Sequence, residues 1–155
     1  MALANDTITM LSGRLDSLIT SCSALNSILE EEALALGQMD LLTLNTIAVD
    51  REGALETVIA EDAVLRRAIS DVSREIGVNH ADLLKTGPIA EALSTKREAL
   101  VEQRRLLAAS NARIRARANL GLGFFRSSLG TTDSYGASGL SQELGVGSAK
   151  FYRVV

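Results

Sequence analysis

The chain is poor in the residues that carry chemistry: its 155 residues include one Cys, one His, one Pro, three Phe, two Tyr and no Trp. A single cysteine excludes an internal disulfide framework. One Cys with one His also falls short of the ligand set of a structural zinc site. His80 has no partner set around it for a Ser–His–Asp or Cys–His nucleophile. No long apolar run is present. Ser17 to Leu29 is uncharged but dotted with Ser, Thr and Asn, and a membrane span needs roughly 20 mostly apolar residues. The opening MALANDTITM lacks the basic region and continuous apolar stretch of a signal peptide. A net charge of −3 and a pI near 5.2 disfavour general nucleic-acid binding. These absences predict a cytoplasmic protein that is not an enzyme, with no cofactor, no metal, no membrane span and no nucleic-acid partner.

What aromatic content there is lies at one end. Phe124, Phe125, Tyr135, Phe151 and Tyr152 all fall after residue 123. Any core in the first 123 residues is therefore aliphatic, and 46% hydrophobic residues suffice to build one.

Three segments carry helical periodicity. In the first, Ile8, Leu11, Leu15, Leu18, Cys22, Leu25 and Leu29 alternate steps of three and four, the seam of a supercoiled helix. In the second, Leu41, Leu44, Ala48, Leu55, Val58, Leu65, Ile69, Val72 and Ile76 share a seam, with Arg51 and Asp62 at two of its positions. Those two are either register markers or places where the seam meets water. Gly37 and Asp40 supply a stop and a new N-cap where the two registers break. This reads as two antiparallel helices, with one long kinked helix as the alternative. Gly77 to Gly87 is the main connection. Pro88 then opens a third helix whose leucine line is sparse: Leu93, Leu100, Leu107 and Ile114 recur every seven residues, with Lys96, Arg97, Gln103, Arg104, Ser110 and Asn111 between them.

The predicted fold is all-α: an elongated antiparallel three-helix bundle or coiled coil over 1–129, with a flexible C-terminal tail. Its helices span about 6–36, 41–76 and 88–129. The last 26 residues, 130–155, contain five Gly and four Ser punctuated by single apolar residues. That is the composition of a tail that orders on a partner. Charge divides along the same lines. Residues 1–87 hold 14 acids and 6 bases, whereas residues 88–129 hold 3 acids and 8 bases, as expected of a basic helix packed on an acidic hairpin.

Other constellations have plain explanations. Glu30, Glu31 and Glu32 point about 100° apart on a helix and cannot converge on one ion. Cys22 lies on the apolar seam, where the thiol behaves as a small hydrophobe. Gly121-Leu122-Gly123 follows a helix rather than a strand, against the context of a dinucleotide loop. The Arg104, Arg105, Arg113, Arg115 and Arg117 patch has no interleaved aromatics, which single-strand binders use. The remaining feature is an apolar line at the end of the third helix: Ile114, Ala118, Leu122, Phe125 and Leu129. At about 63 Å that helix is longer than its partners, and the overhang favours an exposed docking stripe.

In Leu29-Glu30-Glu31-Glu32, the restart at Asp40 to Leu44, Asn111, and Tyr135-Gly136-Ala137-Ser138-Gly139, the chain resembles the FlgN-type flagellar export chaperones. The likeness spans about residues 15–139. The family's second Asn in the third helix has no counterpart; Arg-rich sequence stands there. The resemblance implies a cytosolic chaperone of type III export. Its partners would be the C-terminal helical segments of hook–filament junction (hook-associated) proteins and the export apparatus that receives them. Carried over, the binding region is the end of the third helix and the following tail. The candidate partner-binding residues are Ile114, Ala118, Leu122, Phe124, Phe125, Leu129, Tyr135 and Gly136. The alternative from another class is a structural coiled-coil adaptor that self-associates through the same seams.

Overall fold

A computed structural model describes residues 2–128. They form a helical bundle: α1 (Ala2–Gln38), α2 (Leu41–Ile76), the single turns α3 (His80–Leu83) and α4 (Pro88–Ala92), and α5 (Ser94–Ser128). No strand occurs among the described residues. The expected tail over 130–155 lies outside them. Both long predecessors of the connection end in the same device. At Gly77 (φ 72) the Val78 N–H returns to the Ser73 carbonyl at 3.1 Å. At Met39 (φ 58) the Asp40 N–H returns to Ala35 at 3.1 Å and the Met39 N–H to Leu36 at 3.3 Å. Each is a left-handed residue that turns the chain while satisfying the last carbonyls. The stop expected at Gly37 therefore sits two residues later, on a residue with a side chain. Asp40 acts as the predicted cap, its carboxylate accepting from the Thr43 N–H at 3.1 Å and the Thr43 hydroxyl at 2.6 Å.

The third segment is not one helix from Pro88. α4 stops after five residues and Leu93 sits at φ −100, ψ 0. The Ser94 hydroxyl donates to the Glu91 carbonyl at 2.8 Å, taking an acceptor that the helical ladder would otherwise use. The leucine spacing carries across this break, because Leu93 still packs in the core beside Leu100.

The core is aliphatic throughout. From α1 come Leu11, Leu15, Leu18, Cys22, Leu25 and Leu29; from α2, Val58, Leu65, Ile69 and Val72; from the connection, Leu83 and Ile89; then Leu93, Leu100, Leu107 and Ile114. Every residue of the α1 seam from Leu11 to Leu29 is buried. Each fully buried leucine contributes about 1.5–3 kcal/mol of transfer free energy. The α2 seam holds in its middle and departs at its ends: Ile47 is buried where Ala48 was expected, while Leu41 and Ile76 are exposed.

α1 packs along both α2 and α5, which have no comparable packing with each other. The sparse leucine line of α5 is completed by polar rungs. Arg97 donates to the Leu84 carbonyl, and Arg104 donates to Asp62 at 2.9 Å. The Ser110 hydroxyl donates to the Asn26 side chain at 2.9 Å, and Arg117 donates to the Ala33 carbonyl. A peripheral pair, Lys96–Asp16, joins α5 to α1. Of the basic-on-acidic match read from the sequence, Arg104–Asp62 and Lys96–Asp16 are base–acid pairs, whereas Arg97 and Arg117 go to backbone carbonyls. Arg51 and Asp62 are cross-links as well: Arg51 reaches both Glu32 oxygens at 2.7 and 3.0 Å, and Asp62 accepts from Arg66 and Arg104.

Candidate partner-binding end

The Asn26–Ser110 and Ala33–Arg117 bonds both span 84 residues. On that offset the last residue of α1, Gln38, lies level with residue 122. The final six residues of α5, about 9 Å, extend past the end of α1. Arg117 fastens the helix just before this overhang. Besides its bond to the Ala33 carbonyl, its Nη1 lies 3.6 Å from where a Cβ on Gly37 would stand.

The sequence-predicted residues separate along this stretch. Ile114 is buried and closes the core, so the surface stripe begins one turn later, at half-buried Ala118. Leu122 and Phe124 are exposed, Phe124 at 65%. Phe125 is helical, but its side chain lies outside the described set. Leu129, Tyr135 and Gly136 also lie outside the described residues.

The candidate residues read from the sequence leave out most of the exposed apolar side chains at this end. Leu120, one turn before Phe124, is 74% exposed. The turn between α1 and α2 adds Leu34, Met39, Leu41 and Leu42, the last two 76% and 86% exposed. Leu41 had been placed on the α2 seam. The first turn of α2, however, runs ahead of the core, which α2 enters only at Ile47. The missed signal was local: Met39 to Leu44 crowds four large apolar residues into a turn and first helical turn, more than one face can bury. Among monomers, apolar surface concentrated in this way marks interaction sites.

The titratable groups nearby serve structure. Hydrogen bonds from the Thr43 side chain and backbone hold Asp40 below its ordinary carboxylate value. Burial pushes the Cys22 thiol up, partly offset by the Arg104 guanidinium. The described residues contain no group of three His, Cys, Asp or Glu placed to hold a metal ion. None of their helices is long and apolar enough to cross a membrane. Asn111, which the family likeness singled out, has its side-chain nitrogen buried without a hydrogen-bond partner among the described residues.

Comparison with known protein families, with curated proteins and with solved structures returns no match.

Proposed function

We propose that the protein is a non-enzymatic cytoplasmic carrier of helical protein segments, of the FlgN-type flagellar export chaperone kind. It holds the C-terminal helical segments of hook–filament junction proteins and passes them to the type III export apparatus. The observation that supports this is the apolar end of α5, where Leu120, Leu122 and Phe124 stand exposed beside an equally exposed turn between α1 and α2. An amphipathic helix lays its apolar face on such a surface through anchors at i, i+3, i+4 and i+7.

The accompanying architecture is an elongated antiparallel three-helix bundle, with residues 130–155 as an arm that adds to the grip. Two orderings of bonded pairs support it. Numbers on α1 and α5 rise together through Asp16–Lys96, Asn26–Ser110 and Ala33–Arg117. Glu32, near the end of α1, meets Arg51, near the start of α2. The test is co-purification of the full chain with hook–filament junction proteins, repeated after deleting residues 124–155. Capture by the full chain and its loss on deletion are expected. Capture of none of these proteins, or unchanged capture by the truncated chain, refutes the assignment.

A further inference from the structure

α2 and α5 both pack along α1 but not comparably on each other. Between them lies a cavity of about 280 Å³, whose apolar wall includes Leu15 of α1, Leu65 and Ile69 of α2 and Leu100 of α5. Arg66, Arg97 and Arg104 line it too, with a single carboxylate, that of Asp62. The leucines and the isoleucine are buried, whereas Arg66 and Val101 are exposed and Arg97 and Arg104 half-buried. The cavity is thus apolar inside and basic at its mouth. Asp62 is fully engaged there, its two oxygens accepting from Arg66 at 2.6 Å and Arg104 at 2.9 Å. Arg97 instead donates to the Leu84 carbonyl, which is neutral. That bond occupies one N–H of a guanidinium whose other donors are left for a ligand. Three cations against one anion give the mouth an excess of positive charge.

We propose that this cavity binds a straight-chain alkanoate of about ten carbons, with its chain among the leucines and its carboxylate on Arg97. Size sets the chain length. An apolar cavity of about 150 Å³ takes up benzene, so one of about 280 Å³ takes roughly twice as many non-hydrogen atoms, the count that decanoate supplies. The wall is aliphatic, with no aromatic ring among the described residues, and suits a flexible chain better than a stacked ring. A carboxylate matches the planar guanidinium with two parallel hydrogen bonds, and it supplies the single negative charge that Arg97 lacks. A bound chain touches both α2 and α5, which Arg104 and Asp62 already join, so binding stabilises the folded bundle. About 35 Å of helix separates Arg97 from Leu120, which keeps this site apart from the end of α5 and from any protein held there.

Isothermal titration calorimetry of the full chain with sodium decanoate tests this, read together with methyl NMR spectra. Decanoate should bind with a dissociation constant of about 0.1 mM, a modest efficiency for its size. Each pair of methylenes removed should weaken binding about fifteenfold, through octanoate to hexanoate. Shifts should fall on the methyls of Leu15, Leu65 and Leu100 and leave those of Leu120 and Leu122 in place. Arg97→Met and Val101→Asp should each weaken decanoate binding at least about tenfold. Val101 lies one turn after Arg97 on α5, so Val101→Asp supplies the missing anion in place of the ligand. Val101 is also 66% exposed, so this variant keeps its fold even where loss of the Leu84 bond unsettles Arg97→Met. Absence of binding at about 1 mM decanoate overturns the proposal, as does hexanoate binding as tightly as decanoate. Shifts at Leu120 and Leu122 in place of the cavity methyls, or either variant binding like the parent, overturn it equally.

Discussion

Replacing Asp62 with Asn keeps the size of the side chain and removes the charge that two arginines share. The carboxylate accepts from Arg66 at 2.6 Å and Arg104 at 2.9 Å while its own side chain is 11% exposed. A charge-assisted hydrogen bond contributes about 1.5–3 kcal/mol, and breaking one side of a fully buried pair costs about 3–5 kcal/mol. The arginines reduce that figure, because Arg66 is 63% exposed and Arg104 36%, and each regains water when released. Arg66 is an exposed i,i+4 partner of the kind that contributes about 0.3–0.5 kcal/mol. Most of the effect therefore lies on the Arg104 side. Asp62→Asn should cost about 2 kcal/mol, and Arg66→Ala about 0.5 kcal/mol. Urea unfolding followed by far-UV circular dichroism reads these values at unchanged m. Adding Arg104→Met closes a double-mutant cycle with an expected coupling of about 1 kcal/mol. If Asp62→Asn lies within about 0.5 kcal/mol of the parent, or the two losses simply add, Asp62 is not the hub that joins α2 to α5.

Glycine substitutions should divide by sign. Gly13 and Gly53 lie in helix interiors with nothing within 4 Å of an added Cβ, so Ala at either should stabilise by about 0.5–1 kcal/mol. Gly77 sits at φ 72, where Ala should destabilise by about 1 kcal/mol; thermal melts of the three variants would show it. Cys22 should react slowly with a disulfide reagent at pH 8 in the native protein and rapidly in urea, since burial holds its pKa up; fast native reaction would contradict the packing. A raised thiol pKa stabilises the fold below the unfolded thiol value and loses that effect as pH rises through the folded one. Asp40 has the opposite sign: its lowered pKa stabilises above the unfolded carboxylate value and is lost as pH falls through the folded value. Asp40→Ala should therefore lower the melting midpoint at pH 7 and flatten its decline in acid.

The α1 seam was legible in the sequence because every seam position from Leu11 to Leu29 is apolar and buried. The heptad of Leu93, Leu100, Leu107 and Ile114 was equally legible. Hidden were the polar rungs, since Arg97, Arg104 and Ser110 look like interruptions until Leu84, Asp62 and Asn26 are seen across from them. The break at Leu93 was hidden too, because a single serine hydroxyl creates it without disturbing the leucine spacing. At the candidate site, periodicity found the line but not its exposure. Ile114 continues the stripe and is core, whereas Leu41 continues a seam and is surface. Where a helix enters or leaves its neighbours depends on the register of those neighbours, which no single helix encodes.

The bonds that fasten α5 also bear on the order in which the molecule assembles. The Glu32–Arg51 pair closes a span of 19 residues, while the α5 bonds to α1 close spans of 80 to 84. Closing the longer span costs about 1 kcal/mol more in chain entropy, and the residues that supply it follow α1 and α2 in the chain. The contacts of α1 with α2 therefore close at lower entropic cost than those of α1 with α5. Amide exchange should report the same asymmetry in the finished protein, with α5 opening at lower free energy than the α1–α2 pair. The interval before α5 docks is when the leucine seam of α1 is most open to a wrong partner.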